Sequence, residues 1–552
     1  MIIKIVEKNF VLRIFTAYTC MHICNVRMRQ QIHILTNSEI TNLMIFIMKF
    51  NFLNRQKNVT VNYEGAKAYK MTPELELYAA VVTTGLNDAF YESGNERLEK
   101  IKVLVTKCNA EFVAKLAIYA RKEMYLRSIP MVLLVELAKQ AQGTGIVSKT
   151  VSGVVQRADE ITELLSYYQI ANKRTGAKKL NSLSKQVQKG LAVSFNNFDE
   201  YQFAKYNRAT DVKLRDALFL VHPKAKDDAQ QNIFDKIATN NLAIPYTWET
   251  ELSELGKTRF ENAEEKKRAL AGKWGELIES RKVGYMAMMR NLRNIIEAGV
   301  SAHHIQMVCE YIANEKAVLS SKQLPFRFLS AYREIKQLTT GYAPAILSAL
   351  EDAVMHSAKN IKGFGYDTSV VIAADVSGSM QQPVSAKSKV QLYDIGLMLA
   401  MLLQSQCKNV VTGMFGDSWK IINMPQRNVL ANVLEFYKRE GEVGYSTYGY
   451  KVLEDLIYKK QVVDKVMIFT DMQLYSSAGL NYSFEGSWKR YKAIAPNAKL
   501  YLFDLAGHGA QPLDVRRNDV YLIAGWSDKI FDVLFSMEDA GNALTKINGI
   551  EL

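Results

Sequence analysis

From Thr72 to about residue 360, apolar positions recur at helical spacing. Thr72-Pro73 offers an N-cap followed by proline at the first helical position, after a polar, extended lead from Asn51 to Lys70. Leu75, Tyr78, Ala79 and Val82 then fall on one face, and Phe112, Leu116 and Tyr119 repeat the pattern. Further helix-length runs lie around 130–141, 155–170, 229–239, 263–279, 284–297, 301–313 and 342–359, with no useful alternating strand pattern between them. Many helices joined by short turns predict a solenoid of stacked pairs or a compact helical bundle, and no fixed repeat selects between them.

Beyond this array the pattern changes. Ser369 to Ala374 is a continuous β-branched and apolar run, ending in Asp375-Val-Ser377-Gly-Ser379. Lys465-Val-Met-Ile-Phe-Thr470-Asp471 is a second such run that finishes on an acid. Runs of this kind suit central parallel strands covered on both faces, and ligands in open α/β sheets bind beyond the carboxyl ends of the strands. Between the two strands, Gly444-Tyr-Ser446-Thr447-Tyr-Gly449 opens another helical run. Asp375, Ser377, Ser379, Thr447 and Asp471 are thus candidate oxygen ligands for a divalent cation, magnesium or manganese; Ser446 is an alternative to Thr447. Asp and Ser are also ordinary turn and cap residues, so it is the order of all three segments that carries this reading.

Charge adds a second theme. The 552 residues carry a formal charge of +14, and a basic balance points to an anionic partner, nucleic acid before membrane. Between Lys173 and Lys226 twelve basic residues face only four acids. Phe195, Phe198, Tyr201, Phe203 and Tyr206 are interleaved with them, either as core residues or as rings that stack unpaired bases. Candidate RNA contacts are Arg121, Lys122 and Arg127 around Tyr125, then Lys173, Arg174, Lys205, Arg208, Lys213, Arg215 and His222. His222, before Pro223, is either a hydrogen-bond donor to RNA or a helix-end cap, and Arg290 and Arg293 stand one turn apart.

The five cysteines, at 20, 24, 108, 309 and 407, are odd in number and complete no zinc pattern, which suits a reducing, cytoplasmic setting. Residues 1–47 carry neither an uninterrupted apolar span nor a secretory pattern. They are expected to be a disordered or gene-model extension before a start at Met48. Two modules follow, over 48–360 and 361–552.

Two resemblances meet in this chain. Asp375-x-Ser377-x-Ser379, Thr447 and Asp471 resemble the metal-ion-dependent adhesion site (MIDAS) of von Willebrand factor A domains. Asn196 to Arg208, Lys213 to Lys224, and Tyr285-Met-Ala-Met-Met-Arg290-Asn291-Leu-Arg293-Asn294 resemble the TROVE module. TROVE followed by a von Willebrand A domain is the arrangement of the Ro autoantigen family, bacterial members included. The resemblance implies HEAT-like helical repeats bent into a ring and closed by a doubly wound, Rossmann-like von Willebrand A domain. It also implies a monomeric RNA-binding scaffold for small noncoding Y-like RNA and for single-stranded or misfolded RNA ends, acting in RNA quality control or decay. An exoribonuclease such as polynucleotide phosphorylase is the implied protein partner. A second reading makes the metal site a grip for a protein partner's carboxylate. Enzyme activity is not expected: the first loop supplies one carboxylate, Ser377 stands where a haloacid-dehalogenase-type phosphatase needs an acid, and neither a P-loop nor a Ser–His–Asp order is present.

Overall fold

The computed structural model describes residues 59–83, 94–141, 143–172, 183–207, 212–357, 368–384, 388–439, 441–477, 482–514, 519–526 and 543–552. The segment 1–47, Met48, Lys173, Arg174 and Arg208 lie outside the described residues.

The lead before Thr72 forms a short hairpin of β1 (Val59–Val61) and β2 (Lys67–Lys70). The helical array follows as α1 (Pro73–Val82), α2 (Gly94–Lys107), α3 (Ala110–Lys122), α4 (Ser128–Gln140), α5 (Ile146–Val154) and α6 (Asp159–Ala171). Next come α7 (Lys185–Phe195), α8 (Glu200–Tyr206), α9 (Leu214–Val221), α10 (Asp228–Thr239), α11 (Trp248–Lys257) and α12 (Ala263–Glu279). The array ends with α13 (Tyr285–Arg290), α14 (Leu292–Ala298), α15 (Ala302–Ile312), α16 (Glu315–Ser321), α17 (Pro325–Lys336) and α18 (Ala343–Ser357).

Side-chain caps define many of these helices. The Thr72 hydroxyl accepts from the Leu75 N–H, with Pro73 in the first turn, as predicted. Asp199 and Gln202 form a reciprocal capping box on α8, and Asn109, Ser184, Asp227 and Asn262 cap α3, α7, α10 and α12. The run predicted as one helix over 284–297 is broken at Asn291. Its Nδ2 bonds back to the Ala287 carbonyl and its N–H is shared between Ala287 and Met288.

Most helices pack on neighbours a few places away in sequence: α3 on α4 and α5, α4 on α6, α5 on α7, α7 on α9, α12 on α14 and α15, α15 on α18. That is the contact pattern of a solenoid, in which each pair buries its apolar face on the next. Phe195, Phe198, Phe203 and Phe234 show it locally, with ring centroids within 5.9 Å. Three aromatics of the basic segment are therefore core and cannot stack on bases, because their rings are buried against one another.

The sheet domain is doubly wound. Its strands are β3 (Ser369–Asp375), β4 (Asn409–Phe415), β5 (Trp419–Ile421), β6 (Lys465–Thr470), β7 (Lys499–Asp504), β8 (Ala510–Gln511) and β9 (Val520–Ala524). Its helices are α19 (Leu392–Gln406), α20 (Val429–Lys438), α21 (Tyr450–Tyr458) and α22 (Phe484–Ile494), and α23 (Ala543–Asn548) follows. The six-stranded sheet runs β5-β4-β3-β6-β7-β9, parallel except for the antiparallel edge strand β5. Strand order reverses between β3 and β6, so the crevice opens at their carboxyl ends.

The array meets this domain at both ends. At its start, β2 pairs with β8, Tyr78 Oη donates to the Ala524 carbonyl at 3.0 Å, and Arg97 donates to the carbonyls of Ala506 and Gly507. At its end, Arg333 makes a two-pronged ion pair with buried Asp394 at the start of α19. The Glu351 carboxylate accepts the N–H groups of Leu430 and Ala431 at the start of α20. Both ends of the solenoid are thus docked on one α/β domain. No helix among the described residues is long and apolar enough to cross a membrane.

Candidate functional site

The five candidate metal ligands are all buried at the carboxyl ends of β3 and β6 and on the loop that enters α21. Asp375 ends β3; its Oδ1 accepts the Ser377 N–H at 2.9 Å and its Oδ2 accepts the Thr470 hydroxyl. Ser377 and Ser379 face each other with hydroxyl oxygens 3.3 Å apart. Asp471 follows β6, and its Oδ1 accepts the Gln473 N–H at 3.0 Å. Its Oδ2 is buried without a hydrogen-bond partner.

The middle loop offers Thr447 to the site. Thr447 is buried and its hydroxyl donates to the Gln473 carbonyl at 2.7 Å, whereas Ser446 is half-buried and its N–H donates to Asp417. Of the two alternatives, Thr447 is the one turned inward.

Burial pushes the Asp375 carboxyl up to about 6, with the Thr470 and Ser377 hydrogen bonds opposing the rise. Burial, and then the charge of Asp375, push Asp471 up to about 7. Two like charges share one enclosed space, and neither forms an ion pair among the described residues. Among the described residues no three His, Cys, Asp or Glu side chains converge as a metal cluster, so an ion here would depend on the serine and threonine oxygens. The donor set of two carboxylates, one with an orphaned oxygen, and three hydroxyls fits a hard divalent cation.

Sequence reasoning missed a neighbouring acid. Asp504 ends β7, is fully buried, and accepts the N–H groups of Ala506 and Gly507 through Oδ1. Burial raises its carboxyl, while the charges of Arg97 and Lys100 on α2 oppose the rise. A lone strand-end Asp, without the hydroxyl pattern beside Asp375, carried no signal.

The basic candidates divide into two groups. Arg121 and Arg127 are occupied. Arg121 Nη2 lies 2.7 Å from the fully buried Glu160, and Arg127 bonds Asp159, Glu160 and Glu163. Glu160 also accepts the N–H groups of Gln156 and Arg157, so this cluster ties α3 and the turn before α4 to the start of α6. Lys122 beside them is exposed and forms no ion pair among the described residues.

Lys205, Lys213 and Arg215 also lack carboxylate partners among the described residues. Lys205 lies over the rings of Tyr201 and Tyr206, and Arg215 over Phe219; Tyr201 and Phe219 are exposed. Exposed rings flanked by unpaired cations are what a single strand needs for stacking and phosphate contact. His222 closes α9 in the left-handed conformation (φ 49°), its N–H bonded to the Leu218 carbonyl and its side chain exposed. Arg290 is exposed without an ion pair among the described residues, whereas Arg293 pairs with Glu297 and Glu334, so these two do not act alike.

Comparison with known proteins adds three findings. A family model described as the TROVE domain matches residues 53–268 and 239–362. The chain is 25% identical over 306 residues to "Telomerase protein component 1" of Rattus norvegicus and 27% identical over 295 residues to that of Mus musculus. Each alignment covers 41% of this chain, which spans only 11% of the length of these relatives. The crystal structure of the Deinococcus radiodurans RO (RSR) protein is similar in fold. Its TM-score is 0.53 at 17% identity, and the match covers 83% of this chain and 99% of that one.

Proposed function

Since the chain belongs to the TROVE-domain family, an RNA-binding family, we propose that it is a scaffold that holds RNA. The observation that carries this is the pairing of unpaired Lys205 and Arg215 with exposed Tyr201 and Phe219 on successive helices. Cations without carboxylate partners are available to phosphates, and exposed rings are available to bases. The finer reading is that the ligands are small Y-like noncoding RNAs and single-stranded or misfolded RNA ends, delivered to an exoribonuclease. The chain itself would contribute no catalysis, and its setting would be cytoplasmic. Extraction and sequencing of nucleic acid from protein purified from its native cells tests this. Enrichment of one small structured RNA supports the reading. Absence of enriched RNA, with no salt-sensitive RNA affinity in vitro, rejects it, and RNA turnover by the pure protein rejects the non-catalytic part.

A second reading is favoured by one observation, the partnerless Oδ2 of buried Asp471 beside Asp375. Asp375, Ser377, Ser379, Thr447 and Asp471 would hold a magnesium or manganese ion. Bound there, the ion would supply a Lewis-acidic position for a partner's carboxylate. The side chains' own contribution is to present oxygens at the reversal point of the sheet while the Thr470 hydroxyl and the Ser377 and Gln473 N–H groups fix the two carboxylates. Binding of manganese by the full chain, lost in Asp375→Ala, checks it; partner capture should fall in the same variant while RNA affinity persists.

A further inference from the structure

A pocket of about 480 Å³ lies where α13 and α14 face α17. Its lining includes half-buried Met286 and Ala331 as an apolar wall, with Met289, Leu292 and Ile335 buried behind it and Arg290, Arg327 and Ser330 as polar groups. The volume is within the range of pockets that take small ligands.

The charges in it are unbalanced. Arg290 and Arg327 have no carboxylate partner among the described residues, and Arg327 instead lies over the Phe326 ring at 5.2 Å. Desolvation, and then the positive charge of Arg290, hold the Arg327 guanidinium below its ordinary value. Glu334 lines the same pocket, but Arg293 and Lys389 lie within 3.7 Å of its oxygens. Two neighbouring guanidiniums without counter-charge form an anion site, and their planar forks suit phosphate oxygens.

We propose that this pocket takes one nucleotide unit, its phosphate held between Arg290 and Arg327 and its apolar surface against Met286 and Ala331. The unit is either a residue of a bound RNA strand or a free mononucleotide. The first source rests on the RNA-scaffold reading above; the second does not.

The test is titration of the full chain with the four nucleoside 5′-monophosphates, the matching nucleosides, and a short oligoribonucleotide with or without a terminal phosphate. Two variants accompany it, Arg290→Gln/Arg327→Gln and Ser330→Glu, the latter placing a negative charge at the pocket. Monophosphates are expected to bind at least tenfold more tightly than nucleosides, and both variants to lose that difference with unchanged melting curves. If the terminal phosphate on the oligoribonucleotide raises affinity in the wild type and not in the variants, the source is an RNA strand. Binding of monophosphates, with no effect of the RNA phosphate, assigns the pocket to free nucleotides. Binding of monophosphates while no RNA binds anywhere on the chain would sink the scaffold reading and leave the pocket standing. Equal affinity of wild type and both variants for every phosphate-bearing probe overturns the proposal.

Discussion

At the scale of single residues, two side chains separate roles that sequence alone leaves joined. Asp471 is buried beside Asp375, and burial first, then the charge of Asp375, push its carboxyl up to about 7. Asp471→Asn removes one of the two charges, so in the presence of a chelator the variant should melt at a higher temperature than the wild type. The same change removes a ligand, so magnesium or manganese should raise the melting temperature of the wild type and leave the variant unmoved. Scanning fluorimetry of both proteins with chelator and with cation reads the two effects together. A variant that still responds to cation would show that Asp471 is not a ligand. His222 is the second case. Its backbone is left-handed, which disfavours any side chain, so His222→Gly should hold or raise stability, by up to about 1 kcal/mol. Any loss of RNA affinity in that variant then reports the imidazole rather than the helix end.

At the scale of elements, the basic residues sort by what their helices pack against. Arg121 reaches across to Glu160, which is fully buried, so Arg121→Ala leaves a buried carboxylate short of a partner. The expected cost is about 3 kcal/mol, toward the low end for such a pair because Arg127 and two N–H groups remain on Glu160. Urea unfolding measures it. In contrast, Lys205→Gln/Lys213→Gln/Arg215→Gln should leave the unfolding midpoint unchanged. It should weaken RNA binding and reduce the slope of log affinity against log salt by about 2, at roughly 0.7 per phosphate contact on a single strand. An unchanged slope would place the RNA surface on other elements.

The same contrast shows how much was legible in the sequence. Helices with strong apolar faces and caps, such as α10, α12 and α15, fall within a residue or two of the predicted runs. Helices α7, α8 and α9 stand out in the sequence for charge and aromatics rather than as helices, because their apolar runs are short and mixed with basic residues. The β1–β2 hairpin was read only as extended chain, since its pairing partner β8 lies more than four hundred residues away. The strand ends bearing Asp375 and Asp471 were legible because buried parallel strands are continuous apolar runs ending at the crevice. Ion-pair partners were not: nothing local in Arg121-Lys122 says that one guanidinium meets a carboxylate on α6 while its neighbour pairs with no carboxylate among the described residues. Arg327 was invisible for the same reason, as its role depends on Arg290 across a helix interface.

At the scale of the whole molecule, the metal-site strands and the docking of the array share a wall. Asp504 at the end of β7 fixes the turn whose carbonyls at Ala506 and Gly507 receive Arg97, and Lys100 donates to the carbonyl of His508 two residues before β8. The His508 imidazole is buried there, edge-on to Tyr63 at 5.4 Å. Burial, reinforced by the charges of Arg97 and Lys100, holds it well below its ordinary value of 6.5. The imidazole is therefore neutral in the folded protein, whereas in the unfolded chain it gains a proton once pH falls below about 6.5. The unfolded state then binds more protons, so the contribution of His508 to stability is full above that pH and is lost as pH falls, by about 1.4 kcal/mol per unit. Asp375 and Asp471 titrate with the opposite sign: their raised carboxyls make the metal-free fold gain stability as pH falls from about 7. Comparing wild type with His508→Asn between pH 7.5 and 5.5 isolates the imidazole, because the carboxylates are common to both. The wild type should lose stability relative to the variant as pH falls, with hydrogen exchange rising first in α1, α2 and the β1–β2 hairpin, which dock on this wall. Parallel stability curves for the two proteins would mean that acid does not act through this contact. A loss shared equally by both proteins, with exchange confined to α17 and α18, would instead place the acid-sensitive contact at the Arg333–Asp394 end.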